Sequence, residues 1–174
     1  MKKKELLLLT LLLNFTFSIS QTKTEIDSLL NRITKTENSK EIIDNVDAKR
    51  VIAYGERSLM ILANFFVDTT LTKVKSECND GYLTKGEIAI ILADRIERMP
   101  YFTVTRIQNC TLTFCKNNPN LIEYYFSSNN FLNNKVFQNR YIEWLYSKDR
   151  LKEVKGKARR ERKKLLKEWK ATFQ

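Results

Sequence analysis

The sequence contains no histidine. That absence excludes Ser-His-Asp and Cys-His catalysis, histidine-ligated zinc and imidazole acid–base chemistry. Glycine is nearly as scarce, at Gly55, Gly81, Gly86 and Gly156 alone, and proline occurs only at Pro100 and Pro119. Tight-turn β architectures and phosphate-cradling loops draw on both residues, so neither is expected. After residue 20 no apolar run approaches the ~20 residues of a membrane-spanning helix. The three cysteines, Cys78, Cys110 and Cys115, include no close ligand pair, so neither a metal nor any other cofactor is expected.

The amino terminus points to export. Lys2, Lys3 and Lys4 precede an apolar run from Leu6 to Leu13, and Ser18-Ile19-Ser20 sets small residues before Gln21. Basic, apolar and small-residue regions in that order make a secretory signal peptide. Residues 1–20 are therefore set apart as a cleaved leader, and the mature chain is read from Gln21. Its destination would be periplasmic or extracellular. An oxidising compartment favours a disulfide. On one helix Cys110 and Cys115 would stand ~140° apart with ~7.5 Å of rise, too far for a bridge. Cys78 is thus expected to pair with Cys110 or Cys115, the first being preferred here; three buried thiols are the alternative.

Charge divides what remains. Residues 21–147 hold 16 basic and 15 acidic side chains, whereas residues 148–174 hold 12 basic and 4 acidic. The chain is read as a nearly neutral helical domain, 21–147, followed by a basic amphipathic carboxy-terminal helix, 148–174.

Periodicity argues for an all-α fold of seven or eight helices. Thr22-Lys23-Thr24-Glu25 is a capping box, followed by Ile26, Leu29, Leu30 and Ile33 on one helical stripe. A second helix is predicted from about Lys40 to Gly55, and a third on Leu59, Leu62, Ala63 and Phe66. Residues 68–83 read as a long loop. Thr84-Lys85-Gly86-Glu87 is a second capping box, opening a helix closed by Pro100. Residues 101–115 are rich in β-branched and aromatic residues, but Val104, Ile107, Thr111 and Phe114 fit a helix, which is the preferred reading. A short helix follows Pro119, another carries Phe137, Tyr141, Trp144 and Leu145, and the last begins near Lys148.

The stretch "VIAYGERSLMILANFFVD" resembles the helix-pair region of HEAT-like repeats, through Gly55, Ser58, Leu59, Leu62 and Asp68. "TKGEIAIILADRI" resembles the next helix of such a repeat, with Ala89, Leu92 and Ile96 at its buried positions. The resemblance covers residues 42–97. It implies a packed helical scaffold that binds a partner on one face, and it implies no catalysis.

Four features carry candidate chemistry. In the basic tail, Leu151, Val154, Ala158, Leu165, Leu166 and Trp169 recur between the cations at helical spacing. Outside the cytosol such a helix meets anionic lipid or lipopolysaccharide rather than nucleic acid. The binding residues would be Lys155, Lys157, Arg159, Arg160, Arg162, Lys163, Lys164, Lys167 and Trp169; the plainer expectation is a solvated helix whose apolar stripe packs on the domain. Tyr124, Tyr125, Tyr141, Trp144 and Tyr146 fit a core or, less simply, a ligand groove. Asp94, Glu97 and Glu123 fit ion pairs or, as the alternative function, an envelope hydrolase with a carboxylate pair in an aromatic-lined cleft. In the loop, Lys73, Lys75, Glu77, Asp80 and Tyr82 would be the exposed contacts. The expectation is an exported, non-enzymatic helical binding module whose partner is a protein or an anionic envelope surface.

Overall fold

The computed structural model describes residues 23–108, 118–126 and 134–173. The leader, the Thr22 cap, and the expected Cys78–Cys110 pairing through Cys110 lie outside them, as does Cys115. Among the described residues the fold is mostly helical, with eight α-helices and one two-stranded sheet. No helix among them is long and apolar enough to cross a membrane.

Helix α1 spans 23–33 and buries Ile26, Leu29, Leu30 and Ile33, the stripe its spacing predicts. The helix expected from Lys40 to Gly55 is split. A 3-10 turn, Ser39–Asp44, gives way at Asn45, whose backbone is extended and whose side-chain Oδ1 accepts the Asp47 and Ala48 amides, starting α2, Val46–Ala53. Gly55 then takes the left-handed φ of +60° that ends a helix without a Cβ clash. Helix α3, Leu59–Phe65, follows the 3-10 turn Gly55–Ser58.

Residues 68–83 are not a loop throughout. They contain β1, Leu71–Lys75, and most of β2, Tyr82–Thr84, paired antiparallel with Lys75 opposite Tyr82. Alternation explains the hairpin: Val74 and Leu83 turn inward while Leu71, Lys73, Lys75 and Tyr82 face out. Strands of five and three residues are too short for that pattern to dominate a helical sequence. The free edge of β1 is closed by residues 34–38, since the Lys73 and Lys75 amides donate to Thr34 O and Glu37 O at 3.2 and 2.9 Å.

Thr84 and Glu87 form the expected capping box at the start of α4, Lys85–Ile96. This helix is the core's axis. Ile88 through Ala93 are all buried, and α4 packs on α2, α3 and the 3-10 turn Leu121–Tyr125. Gly86 permits the approach of α3: a Cβ there would stand 2.6 Å from Phe66 O and 2.8 Å from Asp68 O. Helix α5 is only Tyr101–Thr105, because Arg106 at φ +61° ends it; the helix expected over 101–115 stops there, and 109–117 lie outside the described residues. Helix α6, Asn134–Leu145, buries Phe137, Tyr141, Trp144 and Leu145.

The basic tail is two helices rather than one. Helix α7, Lys148–Lys152, is capped by the Ser147 hydroxyl, and α8, Gly156–Phe173, starts at a glycine with φ +59°. Twelve residues give α4 a length of about 18 Å. The hairpin adjoins its amino end, and Glu97, just past its carboxyl end, meets α7 and α8.

Candidate anionic-surface site

A cluster of four charges fixes α8. Arg150 of α7 is fully buried. Its Nε and Nη2 donate to Glu97 Oε1 and Oε2 at 2.9 and 2.6 Å, a two-point fork. Nη1 donates to Leu145 O at 3.1 Å, Nη2 reaches Glu56 Oε2 at 3.4 Å, and the guanidinium lies 5.5 Å from the Trp144 ring centre. Arg162 of α8 joins from the other side. Its Nε donates to both Glu56 oxygens at 3.1 and 3.0 Å, its Nη2 bonds Glu56 Oε1 and stands 3.2 Å from Glu97 Oε1, and its Nη1 donates to Arg150 O at 2.9 Å. Burial works against the Arg162 charge, but Glu56 and Glu97 outweigh it and hold its pKa above the ordinary value. Two arginines and two glutamates balance, with both guanidiniums buried and Glu56 at the solvent edge of the cluster.

Leu166 and Trp169 are buried on the same side of α8, and Trp169 meets Tyr146 edge-on at 6.2 Å. Of the nine residues proposed for binding, Arg162 and Trp169 thus turn inward. The other seven, Lys155, Lys157, Arg159, Arg160, Lys163, Lys164 and Lys167, are exposed, as is Lys170. Lys157 and Lys164 stand 3.8 and 3.9 Å from Glu161 and Glu168, one turn on. Among the described residues, no acidic group comes within 4 Å of Arg159, Arg160, Lys163 or Lys167. Beside the flank bearing Glu161 and Glu168 lies a cleft of about 490 Å³ against Tyr54 and Arg57.

The three carboxylates singled out in the sequence go to separate partners. Asp94 accepts from the Met99 amide at 2.8 Å and the Tyr101 hydroxyl at 2.9 Å, and burial raises its pKa. Glu97 belongs to the arginine cluster. Glu123, fully buried, accepts on Oε1 from Ser39 Oγ (2.8 Å), Ser76 Oγ (2.5 Å) and the Glu77 amide (3.0 Å), and on Oε2 from Asn118 Nδ2 (2.6 Å). Cys78, in the same loop, is disulfide-bonded, its partner falling outside the described residues; Asn118 Nδ2 also approaches its sulfur at 3.3 Å.

The aromatics proposed for a groove mostly pack. Tyr141 lies 4.9 Å from Phe66 and 5.4 Å from Trp144, and Tyr125 lies 5.2 Å from Tyr101. Of the loop residues, Lys73, Lys75, Glu77, Asp80 and Tyr82 are all exposed.

Sequence reasoning did not single out Arg150, Glu56, Ser39, Ser76 or Asn118. Arg150 had one signal, an arginine flanked by Tyr146 and Leu151 at the spacing of an inward face. Ser39 and Ser76 reach Glu123, Glu56 reaches Arg162 and Asn118 reaches Cys78 across 40 to 106 residues, which local spacing does not encode.

No family model, curated protein or solved structure matches the chain. The resemblance to HEAT-like repeats therefore rests on the residues quoted for it.

Proposed function

We propose that the protein is an exported, non-enzymatic helical binding module that meets an anionic envelope surface through the cations of α8. The observation that carries this reading is the division of α8. Arg162, Leu166 and Trp169 hold it to the body, while Arg159, Arg160, Lys163 and Lys167 are exposed and, among the described residues, make no ion pair within 4 Å. Each such cation near an anionic membrane contributes about 1 kcal/mol, and the attraction fades within a Debye length. The basic, apolar and small-residue order of residues 1–20 supports export.

A protein partner is the second reading. The outer face of the hairpin favours it, where Leu71 is 67% and Tyr82 57% exposed beside Lys73 and Lys75. Exposed apolar side chains set among charges suit a protein contact.

Co-sedimentation with vesicles tests the first reading. The test uses substitutions on the exposed flank, because cutting the chain before Lys148 would also remove buried Arg150. The chain is expected to pellet with vesicles containing anionic phospholipid and to stay in solution with neutral ones. Equal behaviour with both would refute an anionic-surface role and move the search to protein partners of the hairpin.

A further inference from the structure

We infer that α8 meets a bilayer of anionic phospholipid while still docked: its cationic flank touches headgroup phosphates and its apolar face stays on the body. This rests on the anionic-surface reading and specifies how the contact is made. A basic amphipathic helix with a tryptophan ordinarily lies in the interface with its apolar face among the acyl chains. Here that face is occupied. Trp169 is 4% and Leu166 8% exposed, and Arg162, on the same side, is bonded to Glu56, Glu97 and Arg150 O. Insertion would first strip Arg162 from two glutamates and a carbonyl, leaving Glu56 and Glu97 with one arginine between them. Separating a buried ion pair is strongly unfavourable.

The flank itself fits a plane of phosphates. At about 100° per residue, Arg159, Lys163, Lys167 and Arg160 share an arc of about 100°, while Glu161 and Glu168 fall on the opposite flank, over the cleft; the Lys170 ammonium lies over the Tyr146 ring instead. The four cations extend along about 12 Å of one helix. Arg159 and Arg160 offer guanidinium forks suited to phosphate oxygens, and the lysines add point charges. The nearly neutral body neither adds to this field nor opposes it. Contact made through this flank alone is electrostatic and reversible.

The experiment combines binding with depth. The full mature chain is titrated onto vesicles of phosphatidylcholine alone, and of phosphatidylcholine with about a third phosphatidylglycerol, across a salt series. The same vesicles carry lipid brominated near the headgroup, which quenches tryptophan that enters the interface. Trp144 and Trp169 are the only tryptophans, and both are buried. The expected result is binding to the charged vesicles alone, full release by ~1 M salt, and no quenching in the bound state. Each of Arg159→Ala, Arg160→Ala, Lys163→Ala and Lys167→Ala should weaken binding about fivefold, with the helical circular dichroism unchanged. Quenching, with binding that persists in high salt, would mean that α8 leaves its dock and inserts; the inference falls and the anionic-surface reading stands. Binding to heparin without binding to vesicles would overturn the bilayer while keeping a polyanion role. No binding to either would remove both readings.

Discussion

Glu123 and Glu97 are two acids taken out of water by opposite means. Glu97 is forked by Arg150 and approached by Arg162, so charge answers charge. Glu123 has no cation within ion-pair distance among the described residues. Two serine hydroxyls, a backbone amide and an asparagine donate to it instead. The first arrangement joins α4 to the tail helices; the second ties the start of the 3-10 turn Ser39–Asp44 and two loop segments, at residues 76–77 and 118, to the 3-10 turn Leu121–Tyr125. A buried carboxylate can be satisfied by several bonds from neutral donors in place of a counterion, provided each donor is aimed by its own backbone. The cationic solution tolerates one lost bond poorly because a charge is left behind. The neutral solution distributes the loss over several small terms.

The largest break in this comparison is Arg150→Ala. It leaves Glu97 with Arg162 alone and opens a cavity under Trp144. A loss of about 3–5 kcal/mol is expected in denaturant unfolding. Replacing Arg150 and Glu97 together by Met and Leu should recover much of that loss, and no recovery would show that the cost lies in shape rather than charge. Glu123→Gln is the counterpart. The amide keeps one oxygen for Ser39, Ser76 and the Glu77 amide but turns an NH2 toward the Asn118 NH2. The expected cost is about 1–3 kcal/mol, below that of Arg150→Ala. A larger loss for Glu123→Gln would reverse the ranking of the two arrangements.

What the sequence disclosed about these sites follows from reach. Stripes such as Ile26, Leu29, Leu30 and Ile33, the Thr84–Glu87 capping box and the Gly55 stop are local, and they appear where spacing puts them. The break at Asn45 was missed because apolar residues continue on both sides of it while the side chain quietly caps α2. The hairpin was missed because two short strands give little alternation, and their support comes from residues 34–38. At the candidate site, the basic run was plain in the sequence, but which of its cations turn inward was not. Arg162 sits among eight exposed basic neighbours of the same composition, and its partners Glu56, Glu97 and the Arg150 carbonyl, all distant in sequence, distinguish it.

A smaller effect separates carboxylates by pH. Glu87 lies close enough to Glu123 to feel its charge, and its pKa is raised, chiefly by burial, with the Thr84 bonds acting the other way. A raised folded value means the fold favours the protonated form. The group's contribution is therefore fullest below the ordinary value of 4.5 and declines as pH rises through the folded value. Asp47 behaves oppositely: the bond from Arg32 lowers its pKa, so its contribution holds above 3.8 and is lost as pH falls through the lowered value. Glu87→Gln should flatten the decline on the alkaline side of 4.5 and leave the acid limb intact. An unchanged profile in the variant would show that Glu87 is solvated when folded.

The smallest effect tests the neutral-donor argument at its limit. Tyr141 is fully buried, its ring packs on Phe66 and Trp144, and among the described residues its hydroxyl has no hydrogen-bond partner. It lies near Arg150, Glu97 and Asp94, whose charges act on it, and burial drives its pKa well above the ordinary value. All three groups direct their bonds elsewhere. If buried polar atoms at this end of α4 are held only by specific bonds, this oxygen contributes nothing and costs its desolvation. Tyr141→Phe removes the oxygen and keeps the ring. It should leave stability unchanged or raise it by up to about 1 kcal/mol, against the 1–3 kcal/mol loss expected for Glu123→Gln. A loss comparable to that of Glu123→Gln would mean that the hydroxyl is bonded in solution, through a water shared with Asp94 or Glu97, and the contrast between paired and neutral-held charge would then extend across the whole carboxyl end of the helix.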